Sequence, residues 1–281
     1  MENRYTEIKN RILSIANKDT DIKAIIAIGS STRSKSRSDA FSDLDLIIVT
    51  ANTERWIYGD IPEQIGNIKI SFVEDTLGGA KERRVLYENA LDVDMIAFTP
   101  QQFITVVKEG IASWVCNRGY SVLYDTMGAK GLLEEFVSHE ITHTELTESE
   151  YINMVNDFCF HIIWASKKLL RGEIWSAKMC IDAYLKNYLL KMIEMHCAYK
   201  YNIDVWHDGR FLDKWADDMI KESLPKCFAH YDKPDLISSL SETKNLFTKL
   251  ARSVAELKCY AYPETAINYA DVVFNEYFKL R

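Results

Sequence analysis

The sequence predicts an α+β protein, with a mixed sheet in the N-terminal part and an all-helical domain in the C-terminal part. Three observations predict this. Short apolar runs of strand type recur between residues 25 and 124. Those runs, and glycine pairs such as Gly78-Gly79, disappear after about residue 147. From there the apolar residues repeat at helical spacing over long stretches. The division is drawn as residues 1–135 for the sheet domain and 136–281 for the helical domain.

The elements follow in order. Residues 2–17 read as an amphipathic helix with Ile8, Ile12 and Ile15 on one face, ended by Asn17-Lys-Asp-Thr-Asp21. Ile25–Ile28 is an apolar strand that runs into Gly29-Ser30, and Leu44–Val49 is a second strand. Ser31 to Ala40, rich in Ser, Lys, Arg and Asp, reads as a solvated loop between them. Residues 52–66 are mixed helix and loop, and Asn67–Val73 alternates as a strand does. Arg84–Tyr87 and Leu91–Phe98 form a hairpin around Glu88-Asn89-Ala90. Pro100 opens a short helix with Phe103, Val106 and Val107, and Tyr120–Tyr124 is a last short strand. Thr147-Glu-Ser-Glu150 then fits an N-cap with acids in the first turn. Its helix runs to Leu170, where Arg171-Gly172 breaks it, and another runs from Glu173 to about Tyr201. Shorter helices cover roughly 208–222 and 235–259, and Pro263 opens a final one.

Composition narrows the class. At 281 residues, 47% hydrophobic and 27% charged, the chain is an ordinary globular one. Its net charge of −7 argues against a polyphosphate partner such as tRNA, and so against nucleic acid, and suits a cationic one. The six cysteines are scattered without a Cys-x-x-Cys pair, which reads as buried thiols of a reducing compartment. The charged N-terminus has no signal-peptide pattern, and no apolar run is long enough to span a membrane. The expectation is a cytoplasmic protein without a membrane partner.

The chemistry concentrates in the first two strands. In Asp43-Leu44-Asp45-Leu46 the two carboxylates lie two residues apart and so point to one face of a strand. Like charges set side by side are unfavourable unless a cation lies between them, and Mg²⁺ takes carboxylates together with phosphate oxygens. Gly29 lets the backbone approach a ligand, and Ser30 adds a hydroxyl. Phosphate at one end and metal at the other describe metal-assisted transfer to or from a nucleotide. The plainer alternative is a β-hairpin with an acidic turn.

These residues, Gly-Ser followed by Ser42-Asp43-Leu44-Asp45-Leu46 with β-branched residues after it, resemble the polymerase-β-like nucleotidyltransferases. With Arg33 and Phe41 ahead of Ser42, the spacing is most similar to the streptomycin (aminoglycoside 6-) adenylyltransferase family. The resemblance implies that the N-terminal part is a nucleotidyltransferase domain and the helical part binds substrate. It implies ATP as co-substrate at Gly29 and Ser30, Mg²⁺ at Asp43 and Asp45, and an aminoglycoside such as streptomycin as the cationic acceptor. Arg33 is expected near the phosphates.

Asp94 enters the apolar run Met95–Phe98, where a carboxylate needs a reason to be. A third acid on an adjacent strand completes a metal site and can take a proton from an attacking hydroxyl. The family carries its third acid on such a strand, and Asp94, with Pro100 following, is the better match. Asp92 equally fits the loop side of the hairpin. The resemblance also assigns Lys167 to the triphosphate and Asp157 or Glu173 to a cationic substrate, against plain surface or core roles. Tyr262-Pro263-Glu264 and Leu189-Leu190-Lys191-Met192 resemble family runs as well. One departure is Ser31, where relatives carry Arg. Separately, His139-Glu140-Ile-Thr-His143 spells a zinc-protease motif, but its β-branched surroundings make it a chance spelling on a loop or strand. Two other readings stay open: a different acceptor, such as another antibiotic or a protein, and a nucleotide-binding module without turnover.

Overall fold

The computed structural model describes residues 4–32, 39, 41–137, 145–205 and 207–279. The chain divides into two compact units, Met1–Ile141 and Thr142–Arg281.

The first unit is built on a six-stranded sheet. Its strands are β1 (Ile22–Ile28), β2 (Leu44–Thr50), β3 (Ile68–Asp75), β4 (Lys81–Tyr87), β5 (Leu91–Phe98) and β6 (Ser121–Asp125), in the order β3-β4-β5-β2-β1-β6. The sheet is mixed because β2 and β5 run parallel while the other neighbours are antiparallel. All six strands expected from the sequence are present. β1 and β2 are covered on both faces, which is why they read as nearly continuous apolar runs.

One face packs on α1 (Thr6–Ala16), α2 (Glu54–Ile57) and α3 (Ile61–Ile65), through Ile8, Ile12, Trp56, Ile65, Leu46 and Val93. The other packs on α4 (Pro100–Lys108), α5 (Ser113–Cys116) and α6 (Ala129–Phe136), through Ile26, Ile47, Val49, Phe103, Val107 and Leu133. Thr99 and Gln102 form a capping box at the start of α4, with Pro100 in the first turn. Asp125 starts α6 by accepting the backbone N–H groups of Met127, Gly128, Ala129 and Lys130. The sequence reading had not marked α5, a single turn, or α6, which is short and carries Gly131 in its first turn.

The second unit is helical: α7 (Glu148–Leu170), α8 (Ile174–Met179), α9 (Leu185–Tyr201), α10 (Leu212–Trp215), α11 (Asp218–Ser223), α12 (Lys233–Lys258) and α13 (Glu264–Phe278). The expected capping box of Thr147 and Glu150 starts α7. The single helix expected over 173–201 is interrupted by a π-helical turn at Cys180–Tyr184. The helix expected over 208–222 is broken, because Asp208 and Phe211 adopt left-handed backbone angles. Phe158 of α7 stacks on Phe247 of α12 at the centre of the core, with ring centroids 3.5 Å apart. Five cysteines are buried as expected, but Cys259 is exposed, because it is the left-handed cap that ends α12. Among the described residues no helix is long and apolar enough to cross a membrane.

Candidate active site

β2 and β5 lie side by side and in parallel, with Asp45 directly opposite Asp94. Residues opposite each other in a ladder share a face of the sheet. Asp43, Asp45 and Asp94 therefore converge, and one carboxylate oxygen from each lies within 4.8 Å of the others. Further along β2, Ile47 and Val49 are buried in the core, while Asp43 and Asp45 are half-buried. Asp94 is the deepest of the three at 6% exposed.

Local structure holds the trio in place. The buried Tyr5 donates from its hydroxyl to Ser42 O at 2.8 Å and accepts from the Asp92 N–H at 3.3 Å, so it pins the starts of β2 and β5 together. The turn Gly29–Thr32 leaves the end of β1, which pairs Ile28 with Asp45. Gly29 has φ +73°, and a Cβ there would sit 1.9 Å from Asp45 Oδ2. No side chain fits at Gly29 while Asp45 keeps its position, so the close approach expected of this glycine is to a site carboxylate. Ser30 Oγ is buried and makes no hydrogen bond among the described residues. Ser31 turns its hydroxyl toward Ile28 O (3.4 Å), and Thr32 Oγ1 donates to Gly119 O (2.8 Å).

Asp94 is electrostatically unusual. Burial, with help from the nearby charges of Asp45, Glu82 and Asp92, pushes its carboxyl up to about 7, against the opposing pull of Arg84. Its Oδ1 is buried and makes no hydrogen bond among the described residues. Burial and the charge of Asp43 also raise Asp92, which lies opposite Leu86 and beside the trio rather than within it. Asp94, not Asp92, thus joins Asp43 and Asp45.

Sequence reasoning missed Tyr5 and Arg84. Arg84 lies directly opposite Asp94, with Nε 3.7 Å from Asp94 Oδ2, 2.8 Å from Glu74 and 3.5 Å from Glu82. A signal was available, since Arg84 and Asp94 are equidistant from Asn89 at the centre of the expected hairpin. Nothing in the sequence pointed to Tyr5.

The other expected residues fall elsewhere. Arg33 and the stretch from His139 to His143 lie outside the described residues. Lys167, Asp157 and Glu173 belong to the second unit. Lys167 is exposed in the last turn of α7. Glu173 is already engaged by Lys168 (2.5 Å) and Arg171 (2.8 Å). Asp157 accepts from the hydroxyls of Tyr184 (2.9 Å) and Tyr188 (2.9 Å), and His161 Nδ1 lies 2.7 Å away. The π-helical turn ends at Tyr184 and carries it to this carboxylate.

A mixed sheet with three converging acids beside a Gly-Ser turn defines the class of nucleotidyltransferases expected from the resemblance. The chain belongs to the streptomycin adenylyltransferase family, whose profile matches residues 2–273. That membership makes it a nucleotidyltransferase enzyme and supports an aminoglycoside adenylyltransferase. Among solved structures, it is similar to an aminoglycoside 6-adenyltransferase from Bacillus subtilis, at 17% identity and a TM-score of 0.45, over 98% of this chain and 99% of that one. It is also similar to a nucleotidyltransferase-like protein from Exiguobacterium sibiricum 255-15, at 10% identity and a TM-score of 0.41, over 89% of this chain and 78% of that one. Both superpositions are loose, and the family assignment rests on the sequence match. A comparison with curated protein sequences found no match.

Proposed function

We propose that the protein transfers AMP from ATP to a hydroxyl of an aminoglycoside such as streptomycin, releasing pyrophosphate and so conferring resistance to the drug. The observation that carries the reading is the convergence of Asp43, Asp45 and Asp94 beside the Gly29-Ser30 turn. The acceptor oxygen bonds to the α-phosphorus, the bond from that phosphorus to the β-phosphate bridge breaks, and the hydroxyl proton passes to Asp94. With no ion bound, burial raises this carboxyl to about 7, which makes it a stronger proton acceptor than an exposed carboxylate; an ion bound beside it lowers that value.

Gly29 and Ser30 take the β- and γ-phosphates, the Ser30 hydroxyl, which has no hydrogen bond among the described residues, donating to them. The three acids suit Mg²⁺, since all the donors are hard carboxylate oxygens within reach of one another and Asp94 Oδ1 makes no hydrogen bond among the described residues. Bound there, the ion supplies charge neutralisation for the phosphates. Tyr5 and Arg84 hold the strands and carboxylates so that little reorganisation is left for the reaction itself. By the family resemblance, Arg33 and Lys167 are proposed for the phosphates, and Asp157 and Glu173 for cationic groups of the acceptor. Of the last two, Asp157 is the stronger candidate, because Glu173 is neutralised by its own neighbours. The cytoplasm, where ATP is available, is the proposed location.

The test is pyrophosphate release from ATP and Mg²⁺, with and without streptomycin, run beside Asp45→Asn. Release that needs both the drug and Asp45 supports the reading. Release only with another aminoglycoside keeps the reaction and changes the acceptor. ATP binding without release under a full aminoglycoside panel overturns it.

A further inference from the structure

Strand order gives the site two distinct sides. The Gly29 turn leaves β1, which borders β2, while β4 and then β3 lie beyond β5 on the other side of the acids. In an in-line displacement the entering hydroxyl and the departing pyrophosphate are on opposite sides of the phosphorus. With the phosphates on the β1 side, the acceptor is directed over β4 and β3.

That part of the sheet has an unusual surface. The ladder runs from Asp45 through Asp94 and Arg84 to Phe72, so these four share one face. Phe72 is 52% exposed, and Ile70, two residues along the same edge strand, is 61% exposed. Edge strands are commonly protected by charge or by a short length, and large apolar groups left open on one call for a partner. Beside them, the single guanidinium of Arg84 faces three carboxylates, those of Glu74, Glu82 and Asp94. Among the described residues Arg84 is the cation these carboxylates share, and Glu74, exposed at the sheet edge, is where a further cation can be met. A second sign of a ligand is Asp94 itself, whose side chain is 9% exposed and whose Oδ1 has no hydrogen bond among the described residues.

We propose that this patch on β3 and β4 is the acceptor subsite. The apolar face of an aminosugar ring lies on Phe72 and Ile70, and its ammonium or guanidinium group is held by Glu74 and Glu82. Arg84 keeps the carboxylates from repelling one another, its Nε lying 2.8 Å from Glu74 and 3.7 Å from Asp94 Oδ2. The proposal rests on the AMP-transfer reading and extends it to the residues that choose the acceptor. Nothing in the sequence marked them, because an alternating strand with Phe and Glu looks like any half-exposed edge.

The experiment measures KM for streptomycin and for ATP in Phe72→Ala, Phe72→Tyr and Glu74→Gln. If streptomycin is not turned over, the aminoglycoside of the panel that is takes its place. Loss of an aromatic stacking surface is expected to raise the acceptor KM about tenfold. Loss of a charged partner for an ammonium group is expected to raise it by about tenfold or more. Phe72→Tyr restores the wild-type value, and KM for ATP is unmoved throughout. Calorimetric titration of the same drug onto Asp45→Asn and onto Asp45→Asn with Phe72→Ala reads the affinity without turnover, and the double variant binds more weakly. Transfer by the wild type with an unmoved acceptor KM in both Phe72→Ala and Glu74→Gln overturns this proposal alone. Absence of transfer to every aminoglycoside overturns the AMP-transfer reading, and this one with it.

Discussion

Asp94 in the first unit and Asp217 in the second are both shielded carboxylates, and their surroundings are opposite. Asp217 accepts from His196 Nε2 (2.9 Å), from Lys200 (2.9 Å) and from the Tyr201 hydroxyl. Despite its burial, those donors hold its carboxyl down to about 2. Among the described residues Asp94 has one loosely placed guanidinium, like charges around it and an oxygen, Oδ1, with no hydrogen bond, and its carboxyl is pushed up to about 7. Shielding alone therefore does not set the character of a carboxylate; the number of donors it is given does. The first arrangement stores affinity for a ligand, and the second ties α9 to the start of α11.

That contrast has measurable consequences. Asp94→Asn removes the proton acceptor and lowers kcat for AMP transfer by about 10²–10⁴. It should not destabilise the fold. Because the folded value of Asp94 is raised above its ordinary 3.8, its contribution to stability is complete below about pH 4 and is lost as the pH rises through about 7. Without metal at pH 8, the variant should melt at the wild-type temperature or above it. Adding Mg²⁺ should raise the melting temperature of the wild type more than that of the variant.

Asp217→Asn should do the reverse, lowering stability by about 2 kcal/mol at neutral pH while kcat stays at the wild-type level. Here the folded value lies below 3.8, so the contribution is present above about pH 4 and fades as the pH falls through about 2. Urea midpoints measured from pH 2 to 8 for wild type and both variants read both slopes. A large loss of stability in Asp94→Asn would erase the contrast.

The same distinction explains what was legible in the sequence. Strands announced themselves because β1, β2 and β5 are shielded on both faces and had to be apolar; a charge inside such a run, as at Asp94, was conspicuous. Gly29, Asp43 and Asp45 were legible because a short local motif carries them. Tyr5 was not, since its partner Ser42 is far away in sequence; Arg84 was legible only through the hairpin register that sets it opposite Asp94, and it looks ordinary in its own segment. Asp217 was equally hidden, because its donors come from a different helix. The π-helical turn at Cys180–Tyr184 leaves the helical periodicity of the sequence nearly intact, so it read as part of one helix. Of the breaks at Asp208 and Phe211, aspartate tolerates left-handed backbone but phenylalanine does not favour it, so the break at Phe211 was not to be read from its residue type.

The backbone carries a smaller version of the contrast. Cys259 is left-handed, but as the cap of α12 its N–H satisfies carbonyls of the last turn, those of Ala255 and Glu256. Ala90 is left-handed too, at φ 53°, beside Asn89 at φ 64° in the hairpin that leads into Asp92 and Asp94. Asparagine tolerates that region, whereas alanine sets its Cβ against the following carbonyl. Ala90→Gly relieves that contact at the expense of a freer unfolded chain. The balance is expected to favour the folded state by about 1 kcal/mol or less. AMP transfer should be unchanged, since the strand register that sets Arg84 opposite Asp94 is kept. A higher urea midpoint with an unaltered kcat would separate strain that is incidental to this hairpin from the weakly paired charge that serves the site. A fall in kcat would instead mean that the left-handed alanine helps to aim Asp94.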